Sequence, residues 1–579
     1  MSEDDAMTLT FLLLVGCVGF LVIVGYGIYG RYLETRVVKP DPEAKTPAYL
    51  KQDGLDYIPA RTPLLWAHHF SNIAGAGPIL GPLVAVAAFG WAPTLVWVVL
   101  GCVFCGAVHD YVVLSTSMRS GGVSIATVAR NTLGQRAKTV LSIFLLLSLI
   151  LLIAVFANTS AQTVAKQPEL VIPTFGLIPL ALLLGLSVYK FRMPLLPVSI
   201  GAAIGMGLLI YLGFLVPVVW PEGLLGLSGM SFWMIMFFVY GLSASILPVG
   251  YMDQPRDYIS TMILFLGMGL GLIALAVAHP PMQAPAFVGF NSPKEGPLWP
   301  MLFVLVACGA ISGFHALVSG GTTAKQLANE KYQKAVGYGA MIAEGIVAVM
   351  CTLLIAAGLF WHATPGTDAY SYDLFAVMKA KTWIGAFGTA YGRVVHDAFG
   401  VFPFSVAAVF AMLMLNAFVL TTLDTAVRLG RYIVQESAGE RWSLFKDRNI
   451  SSFAVVIPAC ILAFTNSWQA IWPIFGASNQ LIAALALLVV TTYLSSSKVP
   501  TKLTIFPAIF ILVTTIGALL YKIHEYLFRS AQKQYLLGAT AIILTALAIV
   551  VVIETYRCLK NISRRTSTHL PAYEGTPGA

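Results

Sequence analysis

Fifteen apolar runs, each near the ~20 residues needed to cross a bilayer, fill this 579-residue chain. They limit the fold more than any other feature, because hydrocarbon cannot hydrogen-bond a backbone that does not satisfy itself. Approximate limits are 8–29, 70–90, 91–118, 140–157, 175–189, 195–219, 232–249, 259–278, 300–323, 336–360, 401–422, 452–465, 470–494, 503–521 and 535–555. Hydrophobic residues make up 58% and charged residues 11%, against about a quarter charged in soluble domains. The pattern predicts an all-α polytopic protein of about fifteen spans. No polar stretch is long enough to bury a core of its own; the longest are 31–61 and 362–393.

The net charge of +9 sits in short loops between the runs, so it marks orientation in the membrane and not nucleic acid. Arg119, Arg130, Arg136 and Lys138 fill one loop with no acidic residue, which places that loop in the cytoplasm. Counting alternately, the bases at Lys190/Arg192, Lys325/Lys331/Lys334, 428–448, Lys498/Lys502 and Arg557/Arg564/Arg565 also fall inside. The acidic N-terminus, the Glu222 turn and the Asp368/Asp373 loop fall outside; Lys522, Arg529 and Lys533 are the exception. The expectation is an N-terminus outside, a C-terminus in the cytoplasm, and no removable signal in MSEDDAM. All seven cysteines lie in or beside apolar runs, which argues against a disulfide framework.

The run 70–90 reads FSNIAGAGPILGPLVAVAAFG, with Gly75, Gly77, Pro78, Gly81 and Pro82 in its first half. Such breakers free backbone groups that hydrocarbon cannot satisfy, so the interruption must be buried in protein or line a cavity. Paired interrupted helices mark substrate and ion sites in secondary transporters; the plain alternative is a proline-kinked packing helix. A second interruption is expected five spans on, in GLSASILPVGYMDQPRDY at 241–258, with Pro248, Gly250 and Pro255. Two interruptions at this separation predict an inverted five-plus-five repeat. Its expected halves are 63–230 and 231–424, with an extra span and loop at 1–62, further spans at 425–560 and a polar cytoplasmic tail at 561–579. Free N–H groups and positive dipole ends at the interruptions suit a carboxylate, expected around Ala74–Gly77.

The ninth run ends in GFHALVSGGTTAKQL, with Ser319, Thr322 and Thr323 at i, i+3, i+4. Facing the carbonyls of 72–76, these hydroxyls would hold Na⁺; the alternative is that they bond back to their own helix. Lys325 is either a titratable cation or a cytoplasmic anchor. His68 and His69 are either proton acceptors or an interfacial pair. Cys102, Cys105 and His109 share one helix face and could take zinc, although cysteine is also simply a small buried apolar residue. Arg256 is expected to pair with Asp257 or Asp253 as a gate or an anchor, and Asp424 with Arg428 at i, i+4. Asn158, Gln162, Asn479 and Gln480 serve either helix packing or a lining role.

The strings HHFSNIAGAGPILGP, GAVHDY, QPRDYIS, SGGTTAKQLANE, TTLDTAVRLGRY and FGASNQLIAALAL resemble those of the carbon starvation protein A family, over about 53–493. The resemblance implies a prokaryotic inner-membrane carrier of small nutrients, with peptides and pyruvate both named as substrates. It also implies distant kinship with the amino-acid/polyamine and sodium-neurotransmitter symporters. By that kinship the substrate would lie between Ser71, Asn72, Ala74, Gly75, Ala76, Gly77 and Pro78 on one side and Ser243, Ser245, Pro248 and Gly250 on the other. A coupling ion, Na⁺ or H⁺, would sit by Ala74, Ser319, Thr322 and Thr323. No catalytic constellation and no GxxxxGK[ST] phosphate loop appears, so an enzyme is not expected. A passive channel or a nutrient-sensing receptor is the alternative, and the extra helices are a candidate dimer contact. Peptide and pyruvate stay open.

Overall fold

The computed structural model describes residues 3–221, 223–249, 253–465, 468–529 and 534–564. Among the described residues fourteen helices are long and apolar enough to cross a membrane, and they match fourteen of the fifteen expected runs. In chain order the helices are α1 (Leu9–Val38), the pair α2 (Thr62–Ile73) and α3 (Gly77–Phe89), α4 (Trp91–Arg119), the short α5 (Ile125–Leu133), α6 (Gln135–Lys166), α7 (Pro168–Lys190), α8 (Leu195–Leu215), α9 (Gly229–Ile246) and α10 (Asp253–Ala278). Then come α11 (Leu298–Leu305), α12 (Ala307–Ala310), α13 (Gly313–Val318), α14 (Glu330–Gly358), α15 (Leu374–Phe399), α16 (Phe404–Ser437), α17 (Arg448–Thr465), α18 (Trp468–Ser496), α19 (Lys502–Arg529) and α20 (Tyr535–Arg564). Among the described residues the strands are one hairpin of two two-residue strands, Asn291–Ser292 with Gly296–Pro297.

The fifteenth run, 300–323, is present but in pieces. Val306 leaves the helix at φ −100°, ψ 37°, and Ile311 and Ser312 are extended, so α11, α12 and α13 follow one another as a broken crossing. This corrects the expectation of an interruption at 241–258. There α9 ends at Ile246 and α10 begins at Asp253, so Pro248 lies in the connection between two separate spans and Pro255 in the first turn of α10, where its missing N–H costs nothing. Gly250 and Glu222 fall outside the described residues, as does the tail from 565.

The polar stretch 362–393, in which no span is expected, contains most of α15. Trp383, Ile384, Phe387, Ala390, Tyr391, Val394 and Val395 are buried, at helical spacing. Interspersed glycines and charges dilute its hydropathy. Leu374 N–H donates to Phe360 O at 3.0 Å, and the Arg393 guanidinium lies 4.1 Å from the Phe360 ring. The helix therefore leaves and returns to the same end of the bundle.

The packing has an internal symmetry. The longest helices, α6 and α16, with 32 and 34 residues, lie against each other. Helices α9 and α17 each pack on both of them; α10 packs on α2 and α16, and α18 on α13 and α6. Helix α5 lies along α6 as α15 lies along α16, and α4 meets α14. Exchanging α2/α3 with α11–α13, α4 with α14, α5 with α15, α6 with α16, α9 with α17 and α10 with α18 leaves this set of contacts unchanged. The exchanged elements run in opposite directions, so the bundle is an inverted five-plus-five repeat. Helix α1 precedes it and α19 and α20 follow. The hairpin α7–α8 is inserted, and α8 turns Leu196, Ile200, Ile204 and Leu208 outward at i, i+4 spacing, as a lipid-facing helix does.

Candidate functional site

The first interruption is built by three residues. Ala74 N–H makes the last α2 bond, to Phe70 O at 2.9 Å, and Leu80 N–H begins the α3 ladder on Ala76 O at 2.9 Å. The N–H groups of Gly75, Ala76 and Gly77 thus belong to neither ladder. Pro78 sits in the first turn of α3, where a missing N–H is tolerated.

The two interruptions meet. A Cβ on Gly77 would lie 2.1 Å from Cys308 Cβ, one on Gly81 2.6 Å from Leu305 O, and one on Gly75 2.5 Å from Thr422 Oγ1. These glycines therefore serve close backbone approach as well as helix breaking. Asn479 from α18 satisfies the second interruption: Phe314 N–H donates to Asn479 Oδ1 at 2.8 Å, and Asn479 Nδ2 donates to Ser312 Oγ at 3.0 Å. Gln480 Nε2 donates to Phe303 O at 3.0 Å. Ser71, Asn72, Ala74 and Ala76 are buried along with the four glycine and proline positions that follow.

The other half of the expected substrate set is elsewhere. Ser243 Oγ donates to Val239 O on its own helix, and Ser245 Oγ pairs with Ser452 Oγ at 3.0 Å. Together with Pro248 they lie toward the basic end of the bundle, where Leu247 O accepts from Arg428 Nη2 at 2.8 Å. The structure thus brings 71–78 together with 305–312, and not with Ser243, Ser245 and Pro248.

The hydroxyl trio also separates. Thr322 Oγ1 donates to Val318 O at 3.0 Å, Thr323 Oγ1 pairs with His69 Nδ1 at 2.8 Å, and Ser319 Oγ is buried without a partner. The hydroxyls that reach the α2 carbonyls come from α16: Thr421 Oγ1 donates to Ser71 O at 3.0 Å and Thr422 Oγ1 to Asn72 O at 3.3 Å. Their signal was present in TTLDTAVRLGRY, as threonines at i, i+1 and i+4.

The charged residues pair across helices. Arg256 of α10 binds Asp424 of α16, which also accepts from Tyr240. Arg428 of α16 binds Asp253 of α10 at 2.8 Å. The expected i, i+4 pair of Asp424 with Arg428 and the local pairing of Arg256 are both replaced by this crossed arrangement, because two buried guanidiniums need partners that their own helix faces do not supply. Asp257 takes His68 Nδ1 at 2.6 Å and Asn72 Nδ2 at 2.9 Å, so His68 is a core residue and not an interfacial one. Lys325 Nζ is 3.7 Å from the Tyr432 ring centroid and 5.4 Å from that of Tyr57, a cation held between aromatic faces.

Near it, Asp56 accepts from Tyr432 at 2.6 Å and lies 3.4 Å from Arg431 and 3.6 Å from Arg428. Burial pushes the Asp56 carboxyl up, but Arg431, Lys325, the Tyr432 hydrogen bond and Arg428 outweigh it and hold the group below its ordinary range.

Zinc finds no site. Cys102 Sγ donates to Met341 O, and His109 Nδ1 pairs with Asp110. Among the described residues no group of three or more His, Cys, Asp or Glu is so placed that it could hold a metal ion.

A buried polar core threaded between two interrupted helices, inside an inverted repeat, defines a multi-pass membrane protein of the broken-helix class. The sequence model of "Carbon starvation protein CstA" matches residues 9–365 and 366–518. The chain is 32% identical to the peptide transporter CstA of Campylobacter jejuni, covering 87% of this chain and 79% of that one. It is 30% identical to the pyruvate/proton symporter BtsT of Escherichia coli, covering 86% and 79%. Against the Bacillus subtilis peptide transporter CstA the identity is 32%, covering 82% and 83%. The chain belongs to the carbon starvation protein CstA family. Among solved structures, a manganese transporter of Eremococcus coleocola superposes with a TM-score of 0.49 at 12% identity over 89% of this chain and 99% of that one. MhsT in complex with L-phenylalanine gives 0.48 at 12% over 86% and 98%. Likenesses this weak carry no weight for mechanism.

Proposed function

We propose that this chain is a secondary transporter that carries a small carboxylate, pyruvate or a short peptide, across a prokaryotic cytoplasmic membrane by alternating access. The observation that carries the reading is the meeting of two interrupted helices, with the N–H groups of Gly75, Ala76 and Gly77 outside either helical ladder. Such groups at a helix start bind an anion without a charged side chain. Membership of a family whose relatives are named peptide transporters and a pyruvate/proton symporter supports it.

The repeat halves are taken as 62–278 and 298–496, in place of 63–230 and 231–424; the support is the exchange of packing partners. The substrate then lies between 71–78 and 305–314. The end of the bundle that gathers Arg119, Lys138, Lys325, Arg428 and Arg431 is cytoplasmic, supported by the excess of bases there. On this reading the N-terminus is outside and the C-terminus inside.

The test is uptake into liposomes carrying only this purified chain, with labelled pyruvate and a labelled dipeptide, under a proton or a sodium gradient. Saturable accumulation of either against its gradient is the expected result. Flux that only equilibrates, or binding without flux, overturns the reading in favour of a channel or a sensor.

A further inference from the structure

Asp110 and His109 of α4, His315 of α13 and Glu344 of α14 form a second polar cluster, each 0% exposed. Asp110 Oδ1 is 2.8 Å from His109 Nδ1, and its Oδ2 is 2.8 Å from His315 Nδ1. On the far side of the imidazole, His315 Nε2 is 3.3 Å from Glu344 Oε2 without hydrogen-bond alignment, and both Glu344 oxygens are buried with no hydrogen-bond partner.

We propose that Asp110, His315 and Glu344 form the site that binds the coupling proton. The inference rests on the transport reading and names its driving-ion site. Around these carboxyls stand His109 on α4, His315 on α13, Cys102 on α4 and Cys308 on α12, with His69 of α2 facing His315. Among the described residues no lysine or arginine pairs with Asp110 or Glu344. The contrast with Asp253 and Asp424 is sharp, since each of those has a guanidinium.

A buried carboxylate needs a counter-charge. Among the described residues no lysine or arginine supplies it, and protons do: with each imidazole keeping its single N–H, two further protons shared among carboxyl oxygens and ring nitrogens make the cluster neutral. Releasing one leaves a net negative charge in the core.

The position couples that charge to the fold. His315 follows the interruption at Ile311–Ser312 by three residues, and its ring also interacts with the backbone of Ile73, beside the first interruption. A protonated Glu344 can donate to neutral His315 Nε2. Loss of that proton removes the donor, and reprotonation of His315 instead makes an ion pair, so proton occupancy changes the force on α13 relative to α14. Lengthening or shortening one contact at the interruption is the kind of two-state bias a coupled transporter requires.

The experiment uses the full-length purified chain with Glu344→Gln and Asp110→Asn, each checked for monodisperse extraction. Proton-driven accumulation of labelled pyruvate or dipeptide should be lost in both, while counterflow exchange with no gradient persists. On the same samples, the infrared C=O stretch of a protonated carboxyl at neutral pH should be present in the wild type and reduced in either variant. Accumulation equal to wild type in both variants overturns the proposal, as does a carboxyl band that neither variant changes. If the wild type itself moves neither substrate, the transport reading falls separately, and the infrared band alone then decides whether these carboxyls hold a proton.

Discussion

Substituting Gly77 by alanine isolates the contact that joins the two interrupted helices. The added Cβ would lie 2.1 Å from Cys308 Cβ and 2.2 Å from its Sγ. Sγ can swing away about χ1, but Cys308 Cβ is fixed by its own backbone, so backbone must move on α3 or α12. Overpacking of this kind costs about 1–3 kcal/mol, and the closeness of two Cβ atoms places Gly77→Ala at about 3. Cys308→Gly removes both obstructing atoms and leaves the new Cβ 3.6 Å from Cys308 Cα, an ordinary contact. Alone it costs about 1 kcal/mol from the glycine in a helix. If the two sites were independent the double variant would lose about 4 kcal/mol; with the clash relieved it loses about 1, a coupling of about 3 kcal/mol, at the top of the range for residues in contact. Thermal denaturation of the detergent-purified proteins, followed by loss of the monodisperse peak, measures the order of stabilities. The double variant should melt beside Cys308→Gly and regain uptake lost in Gly77→Ala. A double variant that melts below both single ones refutes the meeting of the interruptions.

The crossed ion pairs make a second prediction. Asp424→Asn leaves Arg256 buried without its carboxylate and should cost about 3–5 kcal/mol, while the double replacement Arg256→Met with Asp424→Leu recovers most of that loss; a single variant as stable as wild type by thermal denaturation would dismiss the pair. The Asp56 clamp sets a pH dependence. Its folded carboxyl lies below the ordinary range, so its contribution is complete above the unfolded value of about 4 and fades only as pH falls through the folded value. Amide exchange of the segment 52–60, corrected for intrinsic rate, should therefore be equally slow at pH 7 and pH 5. In Asp56→Asn it should be fast at both, and protection that declines between pH 7 and pH 5 in the wild type counts against the clamp.

Much of the fold was legible because hydropathy is a local property. Each of the fourteen long spans announces itself within its own residues, and the breakers at Gly75, Gly77 and Pro78 place the first interruption unaided. The second interruption was misplaced because its cause is not local. Pro248, Gly250 and Pro255 are strong breakers, yet a connection between two spans uses the same residues. At 306–312 the helix opens in a stretch with no proline, where Asn479 from a distant helix takes up the freed Phe314 N–H. Helix α15 escaped notice for a related reason, since its buried face meets protein and not lipid and needs no high mean hydropathy.

The sequence by itself determined the class of molecule, the places of the fourteen long apolar helices and the family, because span length and long ordered motifs are written along the chain. Only the tertiary structure decided who meets whom. Arg256 turns from its neighbours to Asp424, Thr421 and Thr422 replace the Ser319, Thr322 and Thr323 hydroxyls at the α2 carbonyls, and His315 comes to lie between Asp110 and Glu344. Each partner lies on another helix, and in a low-dielectric bundle a buried polar group settles on the donor, acceptor or charge that packing brings to it, whatever its distance in sequence.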